Sequence, residues 1–336
     1  MHSLFDPAVL FFVFGVLAGA ARSNLEIPPA ISKFLSLYLL MALGLKGGFA
    51  LSASGIDAAV LTSLGIAVGL AVVVPLLGYR VLRRLVSGFD AAAIAATYGS
   101  VSAVTFVTTT QHLEGQGIAF GGHMAAAMAL MESPAIIVAV FMANALRQRQ
   151  AAAAGGLDGS GVATLALPGQ APAASSLGKV LHESLTDGAQ LLLLGAMAVG
   201  LISGEAGQVA LQPFSGDLFK GMLAFFLLDM GLMTARNLPK LRGQSGWLMV
   251  YAVLGPLVHA SLALALARHF QVPMGDTVLL MVLAASASYI AVPAVVRYAI
   301  PEANPTLYFS LSLGITFPLN ILLGIPLYTW VAGWVF

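Results

Sequence analysis

The sequence contains no cysteine, which excludes disulfides, thiolate chemistry and cysteine-ligated metals. Charge is scarce too: 9% of the residues are Asp, Glu, Lys or Arg, against about 25% in soluble domains. A chain so poor in charge cannot keep a soluble surface wet. Its formal net charge of +1, with no basic tract, offers nothing to nucleic acid. A nucleophile elbow, a phosphate-binding glycine loop and a dinucleotide fingerprint are also missing. The histidines, His112 and His123 among them, are scattered without metal-site spacing. These absences leave no enzyme class and no resident cofactor to expect. What is present is apolar: 59% of the residues are hydrophobic and the mean hydropathy is +0.93. Runs long enough to cross a bilayer, about 20 residues each, recur along the chain and identify an all-α integral membrane protein.

Gly, Pro and charge punctuate these runs. They predict ten transmembrane helices near 8–21, 29–50, 58–82, 91–112, 121–146, 181–203, 214–235, 245–268, 276–299 and 305–334. The first run is preceded only by residues such as His2 and Asp6, without a basic region, and reads as a retained helix rather than a cleaved signal. Residues 147–178, rich in Ala, Gly, Pro and Ser, read as a flexible linker. It separates two five-helix halves, 1–146 and 179–336. With the N-terminus outside, twelve of the 15 Lys and Arg residues fall on the cytoplasmic side, and only Lys46, Lys220 and Arg268 fall elsewhere. The positive-inside rule then puts both termini outside and the linker in the cytoplasm.

An odd number of helices per half gives the two halves opposite orientations and predicts an inverted repeat. Three landmarks recur in order: Ser100 and Ser102 over Ser286 and Ser288 at an offset of 186, "MESP" from Met131 over "ITFP" from Ile315 at 184, and "LLMALGL" from Leu39 over "FLLDMGL" from Phe226 at 187. Both halves carry a polar, breakable stretch in the middle of a buried helix, "YGSVSAV" in helix four and "AASASYIAVP" in helix nine. Irregular backbone at that depth survives only where protein or a water-filled cavity surrounds it. Paired interruptions point to the binding site of a transporter. The second half-helices, starting near Val104 and Ala291, would aim their N-termini at the midplane and make an anion site without a buried Arg or Lys. Hydroxyls of Ser100, Ser102, Thr105, Ser286, Ser288 and Tyr289 would add donors. The bland alternative is that these Ser and Thr side chains bond back to their own helices.

Glu132 lies mid-span before Ser133 and Pro134, where a carboxylate is costly. A sodium ion held by Glu132, by carbonyls near Pro134 and by oxygens of Ser100 to Ser102 would neutralise it and attract an anion. Thr316, its repeat counterpart, would supply a second, neutral cation site. Alternatively Glu132 carries a proton or is a structural carboxyl. Asp229, also mid-span, is an ion relay or an interhelical hydrogen-bonding group.

With "GLKGGFAL", "YGSVSAVTF", "MESPAIIVAVFMAN", "LHESLTDG" and the long block from "ASASYIAVP" through "IPEANP" to "LGIPLY", nearly the whole chain resembles the sodium-dependent bicarbonate transporter family of cyanobacterial inorganic-carbon uptake. The resemblance implies two inverted five-helix repeats, core and gate bundles, helices four and nine broken at mid-membrane, and a homo-trimer in lipid. It implies an inner (plasma) membrane location in a bacterium and a PII-like cytoplasmic regulator. Carried over, it places substrate contacts on Gly99, Ser100, Val101, Ser102, Ala103, Thr105, Ser286, Ala287, Ser288 and Tyr289. Sodium contacts fall on Glu132, Ser133, Thr316 and Ser102. The expected function is import of a small monovalent anion, bicarbonate first, coupled to sodium by alternating access. The alternatives are a proton-coupled carrier of another small organic acid and a non-transporting sensor.

Overall fold

The computed structural model describes residues 6–155 and 188–336, apart from 56 and 242. Among the described residues every regular element is helical and there is no strand. Seven helical stretches are long and apolar enough to cross a membrane. The helices are α1 (Pro7–Ala20), α2 (Pro29–Ser54), α3 (Ala58–Leu82), α4 (Gly88–Gly99), α5 (Ala103–Gly115) and α6 (Met124–Gly155) in the first half. The second half holds α7 (Gly188–Gln212), α8 (Phe219–Asn237), α9 (Gly246–His269), α10 (Met274–Ala285), α11 (Ala291–Ala299) and α12 (Pro305–Val335).

Local chemistry sets many of the ends. Asp6 accepts from the Ala8 amide at 2.8 Å ahead of Pro7, and Asp57 accepts from the Val60 amide at 2.9 Å. Ser87 caps α4 through the Asp90 amide at 3.1 Å. Each side chain satisfies a donor that the first helical turn leaves open.

Two stretches differ from the sequence reading. Helix α6 continues to Gly155, nine residues beyond 146, because "QRQAAAA" is made of strong helix formers. Residues 156–187, with Lys179, most of the expected linker and most of "LHESLTDG", lie outside the described residues. The connection expected between helices six and seven is itself helical. Leu191–Leu241 reads as one 51-residue stretch, too long for a single crossing of about 20 residues. It is divided at Gly204, whose φ of 53° suits glycine, and again by a π-helical turn at Pro213–Asp217.

The helices pack in two groups. In one, α1 lies along α8 and α2 along α7. In the other, α3 packs on α4 and α6, α4 on α6, and α9 on α10, with α12 against α4, α9 and α10. The first group closes through glycine. A Cβ on Gly48 would sit 2.1 Å from the Met197 carbonyl oxygen, and one on Gly200 would sit 2.5 Å from that of Leu45. A Cβ on Gly15 would meet the Leu228 carbonyl oxygen at 2.3 Å, and one on Gly231 that of Phe12 at 2.2 Å. These are backbone-to-backbone contacts of the kind small residues allow in membranes.

Gly48→Val or Gly231→Val must push a helix outward, so each should destabilise the fold by about 1–3 kcal/mol or more. Thermal unfolding of the detergent-purified protein checks this. Gly65→Val, where nothing stands within 4 Å, is the control and should leave the midpoint nearly unchanged.

Candidate functional site

Helix α4 stops at Gly99, and the backbone runs extended through Ser100 (φ −92°, ψ −170°) and Ser102 (φ −105°, ψ 109°) before α5 begins. Helix α10 stops at Ala285, Ser286 is extended (φ −80°, ψ 166°), and α11 begins at Ala291. The two interruptions are hydrogen-bonded to each other. The Ser102 amide donates to Ser286 Oγ at 2.9 Å, and the Ser288 amide donates to the Thr97 carbonyl at 2.8 Å. Backbone groups that helix geometry abandons are thus satisfied across the crossing.

A serine meets the first turn of each half-helix that leaves the crossing, Ser102 as the N-cap of α5 and Ser288 from two residues ahead of Ile290, the N-cap of α11. Ser102 Oγ accepts from the Thr105 amide and Ser288 Oγ from the Val292 amide, both at 3.2 Å. The first turns of α5 and α11 form two walls of a cavity of about 110 Å³. Val101, Ser102, Ala103, Ser288, Tyr289 and Glu132 line it, together with Ser36 and Leu40 of α2 and Leu193 of α7. First-turn amides and helix dipoles give such a wall positive character. Half-buried Glu132 brings a carboxylate to the same space.

The remaining candidates distribute around this cavity. Gly99 packs against Pro75, whose ring a Cβ would meet at 2.5 Å. Ser100 Oγ and Thr105 Oγ1 are buried without a hydrogen-bond partner, the condition in which a polar atom retains capacity for a ligand. Ser286 Oγ donates to the Leu283 carbonyl at 2.9 Å. Ala287 is buried. The Tyr289 hydroxyl is buried beside Ser102 without an ordinary hydrogen bond, its ring edge-on to Phe317 at 5.2 Å. Bonding back to the helix, the bland alternative, describes Ser286 among the candidates, and also Thr97, Thr108, Thr109 and Thr110.

Thr316 does not line the cavity. Its hydroxyl donates to the Ala252 carbonyl at 2.8 Å and pairs with the Tyr98 hydroxyl at 2.7 Å. Ser133 is half-buried beside Glu132 on α6. Asp229 is buried and accepts a hydrogen bond from Ser32 Oγ.

Sequence reasoning missed three contributors. Ser36 lines the cavity one turn from Ser32, and this i, i+4 serine pair in the first turns of a mostly apolar helix was the available signal. Leu193 contributes from α7. Asn320 of α12 donates to the Ala285 carbonyl at 2.8 Å and so pins the end of α10; a lone asparagine after "TFPL" was its only trace.

Larger cavities flank the small one. A space of about 490 Å³, lined in part by Ser32, Lys33, Asp229 and Arg236, shares Ser36, Tyr289 and Ile290 with it. A vestibule of about 750 Å³ on the other side, with Lys46, Glu114, Asp217 and Lys220 in its wall, shares no lining residue. Buried Phe106, Leu43 and Met124 floor that vestibule. Lys46 bridges α2 to Glu114 of α5 at 3.1 Å and stands 4.5 Å from the centre of the Phe219 ring.

Apolar helices enclosing a small, largely apolar cavity into which a few serines and one carboxylate project, with a vestibule on either side, are the architecture of a multi-pass membrane transport protein. Residues 7–333 match the family model of the Na⁺-dependent bicarbonate transporter superfamily. The chain belongs to that superfamily and is a transporter, not an enzyme. A comparison with curated proteins gave no match.

Proposed function

We propose that this transporter imports a small monovalent anion, bicarbonate first, together with sodium, by alternating access at the 110 Å³ cavity. The observation that carries the reading is the convergence of two half-helix first turns, each with a serine oxygen on one of its amides, and Glu132 on that one space. The helix ends hold the anion, and Glu132 with Ser102 in the same wall offers oxygen ligands for sodium. Each ion offsets the other's desolvation.

Inverted repeats account for the packing. Exchanging the two halves turns the α1·α8 pair into α7·α2, and both pairs are present. It also turns the contact of Gly15 with Gly231 into that of Gly200 with Gly48. The offsets are 185 and 183, close to the 184–187 of the sequence landmarks. The positive-inside topology is supported in the same way, since polar contacts join residues assigned to one side. Arg147 pairs with Glu302 at 2.8 Å, and the Asn304 amide donates to Asp90 at 2.7 Å, both on the cytoplasmic side. Lys46 pairs with Glu114 and His123 with Asp276, at 3.1 and 3.4 Å, both on the outer side. With that orientation the cavity adjoins the cytoplasmic space, and an apolar floor seals it from the outer vestibule, an inward-facing state.

Uptake of labelled bicarbonate into proteoliposomes, with and without an inward sodium gradient, tests the proposal. Sodium-stimulated, saturable uptake is expected. Uptake that ignores sodium and follows a pH gradient would move the coupling ion to the proton.

The Lys46–Glu114 bridge joins α2 to α5, which packs on α10 of the other helix group, across the outer vestibule. It is partly exposed, and such pairs contribute about 0–1 kcal/mol. Lys46→Gln should therefore shift the balance of states toward outward opening by about fivefold at most. The absence of native cysteine allows a single cysteine placed at Ala125, in the vestibule wall, to report this as faster labelling by an impermeant thiol reagent.

A further inference from the structure

A separate cavity, away from the transport site, lies where the connection after α8 meets α11 and the start of α12. It holds about 250 Å³ and includes Lys240, Pro293, Arg297, Thr306, Tyr308 and Ser310 in its wall. Lys240 and Arg297 bring two positive charges, and no described residue in the wall carries a carboxylate. Glu302, the acid nearest in sequence to Arg297, is engaged by Arg147. Thr306 adds a hydroxyl. Ser310 is fully buried, and its hydroxyl has no hydrogen-bond partner. In apolar surroundings such a group is costly to leave unpaired, so its presence in the wall of a cationic cavity is an independent sign of a ligand.

We propose that this cavity binds a phosphate-bearing anion from the cytoplasmic side. A phosphate group at neutral pH carries between one and two negative charges and several acceptor oxygens. That matches a guanidinium fork, an ammonium and two hydroxyls. The volume exceeds what a bare monovalent anion fills, which favours a phosphate with an organic remainder. The helix amides contribute little, because Asn304 already accepts from the Thr306 amide at 3.0 Å; side chains provide the selectivity.

The location gives the site a consequence for transport. Lys240 stands on the four-residue 3₁₀ turn Leu238–Leu241 that leaves α8 and packs on α12. Pro293 and Arg297 belong to α11, whose first turn walls the transport cavity. An anion held between Lys240 and Arg297 ties the connection from one helix group to the moving element of the other. Occupancy therefore favours the state seen here and slows exchange. The source is either a soluble phosphomonoester or the headgroup of an anionic lipid, both presenting the same group.

The test is equilibrium binding of radiolabelled inorganic phosphate to the full-length protein in phosphatidylcholine nanodiscs. It is repeated in nanodiscs that also contain phosphatidic acid. Saturable binding to the wild type is expected, with affinity lowered about tenfold or more in the Lys240→Gln, Arg297→Gln double variant. Both side chains are exposed, so the variant should elute as the wild type does; if it does not, Lys240→Gln alone is read in the same titration. Binding in both nanodisc types identifies a soluble ligand, and binding lost only with phosphatidic acid present identifies the lipid. No saturable binding in phosphatidylcholine, or equal binding by wild type and variant, overturns the proposal. Bicarbonate uptake is a separate readout, so either reading can fail alone.

Discussion

Ser102→Phe and Ser288→Phe should each abolish saturable uptake, a fall of about a hundredfold or more, while the protein still purifies as a folded species. Both side chains face a cavity of only about 110 Å³, and a phenyl ring would occupy much of it. Each change also removes the acceptor that caps a half-helix, at about 1 kcal/mol. Ser102→Ala and Ser288→Ala separate the two effects, because they lose the cap without filling the space. They should keep measurable uptake with weakened substrate affinity. Uptake kinetics beside a size-exclusion profile decide the matter; normal saturable transport by both phenylalanine variants would place the anion elsewhere.

Glu132→Gln should remove the sodium response. The substitution preserves shape and deletes the charge that, under the proposed coupling, offsets a desolvated cation. Removing one partner of a partly buried ion pair should lower the apparent sodium affinity by about tenfold or more. Bicarbonate uptake measured across a sodium series checks this. An unchanged sodium dependence in the variant would remove Glu132 from coupling. The half-buried setting of Glu132 in the wall shared with Ser102 and Ser288 is the reason the effect should be large.

The extents of the helices were legible because a bilayer leaves few choices: apolar length, punctuation and basic residues determine where a span begins and ends. The serines of "YGSVSAV" and "AASASYI" were legible for the related reason that no ordinary buried helix benefits from them. Ser36 and Leu193 were not. Helices α2 and α7 are apolar around most of their circumference, so apart from the Ser32 and Ser36 pair little in their pattern says which side meets the cavity. Their rotation follows from the close approach of Gly48 and Gly200. Thr316, expected at a second cation site, sits apart from the cavity on α12, which contains π-helical turns at Ser312–Thr316 and Asn320–Gly324. Each such turn inserts extra residues into the helical register, and Thr316 faces Tyr98 rather than the cavity. The helical course of residues 147–155 was hidden because an alanine-rich stretch suits a helix and a linker almost equally on composition.

The crosswise marriage of α1 with α8 and of α2 with α7 has a bearing on biogenesis. A ribosome that has finished the first half has released two hydrophobic rods whose spouses do not yet exist. They must wait in the lipid, or with the insertion machinery, for the rest of the polypeptide. Severing the gene between the halves should therefore do little harm provided both fragments are made together, whereas either fragment made alone should be unclaimed and degraded.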